Sequence, residues 1–353
     1  MMFMVKTLNF SSADVNVYFK SLDEALDEIL EDGYSKVLAV THYILLEIYD
    51  LKNTFKRRNI DIVVLPEGEK TKSLSKFIEL SKIFFEHSLD RYSHVIVLGG
   101  GVLGDLCGFL CSVYMRGISF SLVPTTLLSM VDSSIGGKNG IDLDFGKNLL
   151  GSFYHPKNIV IDLNFLKSLP EREISSGMAE IIKYAILDDS FILDEIKKER
   201  PDIGRLVELS IDIKSRYVKE DEREKTGKRA LLNLGHTLGH AIEARTLYSR
   251  FTHGEAISIG SCFAAFFSYC LGYANIELYK EIKSLFCKYN LPTSYPTDLD
   301  VDSIEQYVLK DKKNISSKIR FVIMKDFSDV FIYTTDFPQI KNCLLKWIEY
   351  EKN

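Results

Sequence analysis

The chain has 353 residues, 46% of them hydrophobic, so at about 150 residues per domain it predicts two domains with enough apolar content to fold without a disulfide or metal staple. Forty-four Lys and Arg stand against 49 Asp and Glu, a formal charge of -5, and without a positive excess a nucleic-acid partner is not expected. The N-terminus lacks a signal-peptide pattern, no run reaches the roughly 18 apolar residues of a membrane span, and the six cysteines form no CxxC pair, which predicts a cytoplasmic protein with reduced thiols and no membrane partner.

Short β-branched runs at Lys36–Thr41, Ile60–Leu65, His94–Leu98, Ile118–Val123 and Asn158–Leu163 predict strands. Helical patterns at Leu45–Lys56, Ser73–His87 and Leu106–Met115 lie between them, as crossover helices of a parallel sheet would. After Pro170 the texture becomes helical from Glu171 to Tyr289, with a break at Glu224–Lys228. A hairpin is expected from Ile319–Met324 and Val330–Tyr333, then a last helix over about Pro338–Glu351. The expected class is α/β, with a nucleotide-binding α/β domain over 1–168 and a mainly helical domain over 169–353.

Four segments carry chemistry. In HVIVLGGGVLGD, a strand run leads into Gly99, Gly100, Gly101 and Gly104; missing Cβ atoms and helix-start N–H groups suit a pyrophosphate. The turn follows the third predicted strand, whereas a Rossmann fingerprint follows the first, and a ligand-free glycine turn remains the alternative. In the turn Pro66–Lys72, Glu69 suits a ribose and Lys72 a phosphate, unless the turn is merely exposed and charged. From Val123 to Gly151, Thr125, Thr126, Asp132, Lys138, Lys147 and Asn148 stand among glycines, where the lysines and asparagine suit anionic oxygens and Asp132 a proton. A solvated loop is the alternative there.

The fourth segment holds His236, His240 and His253. Glu180 shares a helix face with Lys183 inside an apolar stretch, and with two histidines it would leave a metal position open. Spacing leaves open whether His236 or His240 is the ligand, and a buried helix junction is the alternative. Arg229 and Asn233, one turn apart, are better site candidates than Lys214, Asp221–Glu224, Lys312 or Lys313.

Across roughly residues 30–335 the motifs GGGVLGD, YMRGI, PTTLLSMVDSSIGGKNGI, GKNLLGSF, GMAEIIKYA, DERE, RALLNLGHTLGHAIEA and HGEAISIG, with DKK before IRFVI, resemble the 3-dehydroquinate synthase family of sugar-phosphate cyclases. The resemblance implies a Rossmann-like NAD+-binding domain, a helical metal domain related to those of iron-containing alcohol and glycerol dehydrogenases, and an active site between them. It implies Glu180, His236 and His253 as ligands of Zn2+, or alternatively Co2+. It also implies cofactor contacts at Glu67, Gly68, Glu69, Lys70, Thr71, Lys72, Gly101, Val102, Leu103, Gly104, Asp105, Thr125, Thr126, Lys138, Lys147, Phe165, Leu166, Lys167 and Ser168. Asp132, Lys138, Asn148, Lys183, Lys214, Arg229, Asn233, His240 and a lysine of the Lys312–Lys313 pair would meet a phosphorylated sugar acid, and Arg116 would reach the partner's site in a homodimer. The implied reaction converts 3-deoxy-D-arabino-heptulosonate 7-phosphate to 3-dehydroquinate and phosphate. This sequence departs from the family pattern in a connector one residue longer before Arg229, in GGKNG for GGKTG, and in Ser168 for threonine.

Overall fold

Runs rich in valine and isoleucine become the strands of a first compact unit, Met1–Pro170. The computed structural model describes residues 4–188, 191–309 and 318–353, so the predicted Lys312 and Lys313 lie outside the described residues. Strands β1 (Met4–Asn9) and β2 (Asp14–Phe19) precede α1 (Leu22–Leu30), which Ser21 and Glu24 open with a reciprocal capping box. There follow β3 (Val37–His42), α2 (Tyr43–Ile48), α3 (Leu51–Lys56), β4 (Asp61–Leu65), α4 (Leu74–Glu86), β5 (His94–Gly99) and α5 (Gly101–Val113). The unit ends with β6 (Ser119–Pro124), a hairpin of β7 (Lys138–Leu143) and β8 (Gly146–Phe153), and β9 (Asn158–Val160).

The seven-stranded sheet has the order β1-β2-β9-β6-β5-β3-β4, and every pairing except β1 with β2 is parallel. All six residues of β5 are buried, as a central strand covered on both faces requires. The chain runs from β3 to β4 on one side and then to β5 on the other side of β3. That reversal matters because ligands of open α/β sheets bind beyond the carboxyl ends of the strands at such a point.

Three local expectations are corrected. The helix expected over Leu45–Lys56 is broken at Tyr49, whose backbone is extended at φ -119° and ψ 147°. Its hydroxyl donates to the carbonyls of Asn164 (3.2 Å) and Phe165 (3.1 Å), tertiary contacts that periodicity cannot register. Residues 138–153, read as polar loops, form the antiparallel β7–β8 pair, and α5 begins at Gly101, five residues before the apolar pattern suggested. The β1–β2 pair adds two strands that no β-branched run predicted; its buried residues include Leu8, Val15, Val17 and Tyr18.

The second unit, Glu171–Asn353, contains α6 (Glu171–Leu187), α7 (Ile192–Lys197), α8 (Ile203–Glu220), α9 (His236–Arg245), α10 (His253–Cys270), α11 (Ile276–Lys288) and α12 (Glu305–Leu309). The expected late hairpin is β10 (Ile319–Asp326) with β11 (Asp329–Thr335), followed by α13 (Phe337–Tyr350). Phe263 of α10 packs on Phe267, Phe321 and Trp347, joining α10, β10 and α13 in one aromatic core.

Helices α6, α9 and α10 approach at backbone distance. A Cβ on Gly260 would lie 1.9 Å from the carbonyl oxygen of Gly235, and one on Gly254 would lie 2.2 Å from that of Ser176. Neither position admits a side chain, and this closeness brings three helices' worth of polar side chains into one small volume.

Candidate active site

Beyond the carboxyl end of β5, at the reversal of strand order, Gly100 caps α5 and its carbonyl accepts from Gly104 N–H at 3.2 Å. The N–H groups of Gly101, Val102 and Leu103 open the helix with no carbonyl one turn earlier, the geometry that favours an anion. None of these glycines has a positive φ. Their function is close approach: a Cβ on Gly101 would lie 2.9 Å from Ser133 Oγ. A cavity opens here, lined by Gly99, Gly100, Gly101, Gly104, Asp105, Ser133 and Asn139.

The loop after β6 joins this turn. Thr125 N–H donates to Gly99 O (3.1 Å), and Thr126 and Ser129 exchange bonds, Ser129 N–H to Thr126 Oγ1 at 3.1 Å and Thr126 N–H to Ser129 Oγ at 3.2 Å. Asp132 then sits in a π-helical turn, Ser129–Ser133, a distortion that recurs at functional positions. In the turn after β4, Glu67 Oε1 accepts from Ile44 N–H (3.2 Å), Thr71 Oγ1 donates to Pro66 O (2.7 Å), and Gly68 adopts φ 90° beside exposed Lys70. Lys72 is buried in an ion pair with Asp105, where burial would lower its pKa but Asp105 and Glu69 raise it. Lys147 Nζ reaches Glu69 Oε1 at 2.6 Å, tying the β7–β8 hairpin to that turn. Lys138 is exposed, and Asn148 holds a left-handed backbone at φ 50°.

Phe165, Leu166, Lys167 and Ser168 lie in a 3-10 turn, Leu163–Ser168. It is anchored by Tyr49, whose ring meets Phe165 edge-on at 4.8 Å and whose hydroxyl bonds Ser168 Oγ at 2.6 Å.

In the second unit both histidines of the predicted metal set open helices. Thr252 and Glu255 form a capping box that fixes His253 as the first residue of α10, and Arg172 grips Glu255 with two bonds of 2.7 Å. Gly235, left-handed at φ 78°, caps α9 so that His236 comes first. Glu180 projects from the middle of α6, fully buried and paired with Lys183. Its Oε1 lies 3.3 Å from His253 Nε2 and 3.8 Å from His236 Nε2, and one ligand atom from each of the three residues falls within 4.8 Å of the others.

The donor set fits a divalent cation. His236 Nδ1 donates to Leu234 O (3.0 Å), which leaves Nε2 with its lone pair facing Glu180. Burial would lower the pKa of His253, but Glu243 and Glu180 raise it to about 10, so carboxylates here already draw positive charge. His240 is exposed, its ring 5.0 Å from that of His236. It forms a second possible ligand group with Glu243 and His253.

Lys183 also lies over the ring of Tyr184 (4.9 Å), and Lys214 is buried on α8. Arg229 is buried and donates to Glu222 O at 2.6 Å, while Asn233 Nδ2 donates to Ala230 O at 2.9 Å. The loop before Arg229 is organised by Asp221. Burial would raise its pKa, but backbone N–H groups of Thr226, Arg229 and Lys225 hold it down to about 2. Asp221 and Glu222, weaker site candidates by sequence than Arg229 and Asn233, are both buried. Glu243 was missed; its signal was a charge in the apolar run Ala241-Ile242-Glu243-Ala244.

Residues 62–176 match the N-terminal region, and residues 177–314 the C-terminal region, of 3-dehydroquinate synthase. A 3-dehydroquinate synthase of Sulfurovum sp. is 38% identical over 341 residues, 95% of this chain and 96% of that one. The chain belongs to the 3-dehydroquinate synthase family. The fold extends to other sugar-phosphate cyclases. A 2-deoxy-scyllo-inosose synthase solved with carbaglucose-6-phosphate, NAD+ and Co2+ has a TM-score of 0.87 at 23% identity, covering 98% of this chain and all of that one. A 2-epi-5-epi-valiolone synthase from Streptomyces hygroscopicus subsp. jinggangensis, solved with NAD+ and Zn2+, has a TM-score of 0.82 at 22% identity, covering 98% and 99%. Among the described residues, no helix is long and apolar enough to cross a membrane.

Proposed function

We propose that this chain is a 3-dehydroquinate synthase that converts 3-deoxy-D-arabino-heptulosonate 7-phosphate to 3-dehydroquinate and phosphate. The observation that carries the reading is the convergence of Glu180, His236 and His253 within 4.8 Å in a member of this family. When bound, a divalent cation such as Zn2+ stabilises negative charge on a substrate oxygen, and NAD+ takes up and returns one hydride, so the reaction needs no external oxidant. The family reaction is a transient oxidation, phosphate elimination, reduction, ring opening and intramolecular aldol closure.

The chain's own residues position charge. The open N–H groups of Gly101–Leu103, with Thr125 and Thr126, hold the pyrophosphate of the cofactor, and the turn Glu67–Lys72 and Lys147 border it. Asp105 holds Lys72 in that turn, and Phe165–Ser168 complete the cofactor contacts. Glu180, His236 and His253 hold the metal. Lys138, Arg229 and Lys214 bind the substrate carboxylate, and their positive charge also draws an anion to a chain that is negative in total. His240, Asn148 and Asn233 orient the phosphate group. The substrate's own phosphate is a base, and so held it would take the proton lost from the carbon beside the transient ketone, so elimination would need no additional protein base. Asp132 and Lys183 orient substrate hydroxyls, Lys183 fixed by its pairing with Glu180.

Lys138→Ala is expected to lower kcat/KM for the heptulosonate phosphate roughly ten- to a hundredfold, from loss of one charged hydrogen bond of about 1.5–3 kcal/mol. The far-ultraviolet circular dichroism should not change, because Lys138 is exposed. Unaltered steady-state kinetics would remove the residue from the site.

The active form is proposed to be a homodimer. Val113, Met115, Leu149, Leu150 and Phe153 are all exposed, and Ser152 Oγ bonds Ser112 Oγ at 2.7 Å, which sets β8 beside the end of α5. Such a patch is unusual on a monomer. Arg116 follows it with a strained backbone at φ 69°, aimed in this reading at the partner's phosphate site. Sedimentation equilibrium should give twice the chain mass, and Leu150→Asp should give the monomer; a monomeric wild type would contradict the dimer. Six free cysteines suit the reducing cytoplasm in which the reading places the enzyme.

A further inference from the structure

We infer that Glu243 is a positioning residue that fixes the ring of His253, an inference that rests on the metal reading above. The two ring nitrogens of His253 face two carboxylates: Nε2 is 3.3 Å from Glu180 Oε1 and Nδ1 is 3.5 Å from Glu243 Oε1. Glu243 comes from α9, with a side chain only 11% exposed, a costly place for a carboxylate unless it is matched by charge or hydrogen bonds. An ionised carboxylate only accepts, so when a cation takes Nε2 the one remaining ring proton lies on Nδ1, facing Glu243, and Nε2 is directed toward Glu180 and His236.

The two histidines differ in how this is achieved. His236 is held by the backbone carbonyl of Leu234, which no side-chain substitution removes, whereas the tautomer and tilt of His253 depend on one side chain. The competing arrangement, in which Glu243 itself ligates with His240 and His253, would have to use the side of His253 that faces away from Glu180. It would thereby give up the site built around the buried Glu180.

The test is equilibrium binding of Co2+ and of Zn2+ to the metal-free full chain, in competition with a chelator, for wild type, Glu243→Ala, Glu243→Gln and His236→Ala. The visible absorption of bound Co2+ and melting of the metal-free proteins are recorded alongside. Loss of an outer hydrogen-bond partner typically costs 10–100-fold in metal affinity. Glu243→Ala should weaken both metals by about that factor and alter the Co2+ spectrum, while Glu243→Gln, which keeps an acceptor oxygen, should recover much of the affinity. Wild-type affinity and spectrum in Glu243→Ala would overturn the inference. So would loss as complete as in His236→Ala, because Glu243 would then be a ligand. If wild type binds neither metal more tightly than His236→Ala, the metal reading itself fails, a result distinct from both.

Discussion

His236→Ala should lose stoichiometric metal and lower turnover by at least about a thousandfold, since charge stabilisation by a bound cation contributes several kcal/mol and each 1.36 kcal/mol is tenfold. The fold should survive. The His236 ring donates to Leu234 O, and such a bond contributes about 1 kcal/mol net. His240→Ala is the matching control. Its ring is 6.0 Å from that of His253, close to the 5.4 Å separating His236 from His253, yet it is exposed and lies outside the set with Glu180. It should keep its metal and lose affinity for the phosphorylated substrate. Metal content by mass spectrometry, read beside kcat and KM, separates the two histidines. Metal retained in His236→Ala and lost in His240→Ala would reverse the assignment.

Gly260→Ala should be among the most destabilising single methyl additions available to the second unit. The new carbon would sit 1.9 Å from Gly235 O and 3.0 Å from Gly239 N, so backbone atoms of α9 would have to move away from α10. Overpacking typically costs about 1–3 kcal/mol where side chains can yield, and here no flexible end can. A loss of about 3 kcal/mol or more, roughly 6–12 °C in melting temperature for a unit of this size, is expected. Because the displaced segment carries His236, metal affinity should fall together with stability. Thermal melting and a Co2+ titration of the same sample read both, and a variant that melts and binds as wild type does would show that the close approach is not required.

The parts legible in sequence were those in which one residue type had to serve a local geometry. The β-branched run before Gly99 gave strand and turn, and the histidines with Glu180 gave a donor set before any helix was placed. Where two segments must meet, the signal was weaker. Tyr49 breaks a periodic helix in favour of contacts over a hundred residues away. Gly140 and Gly151 conceal a hairpin because they look like loop residues; a Cβ on Gly151 would lie 2.2 Å from Asn139 O. His236 was preferred to His240 only through family resemblance, since helical spacing puts both on one face. Their different burial, which separates them in the structure, depends on how α6 and α10 pack around α9, which spacing within α9 does not register. Asp221 illustrates the same limit: by sequence it is a weaker site candidate than Arg229, yet its four backbone donors at Lys225, Thr226, Gly227 and Arg229 make it the hub of a loop.

The account is tested most directly by incubating the metal-loaded protein with NAD+ and 3-deoxy-D-arabino-heptulosonate 7-phosphate, and following product, phosphate and absorbance of NADH together. The prediction is equimolar 3-dehydroquinate and phosphate, many turnovers per NAD+, and no net NADH. Accumulating NADH without phosphate release would instead identify a net dehydrogenase, and would contradict the proposed cyclase chemistry.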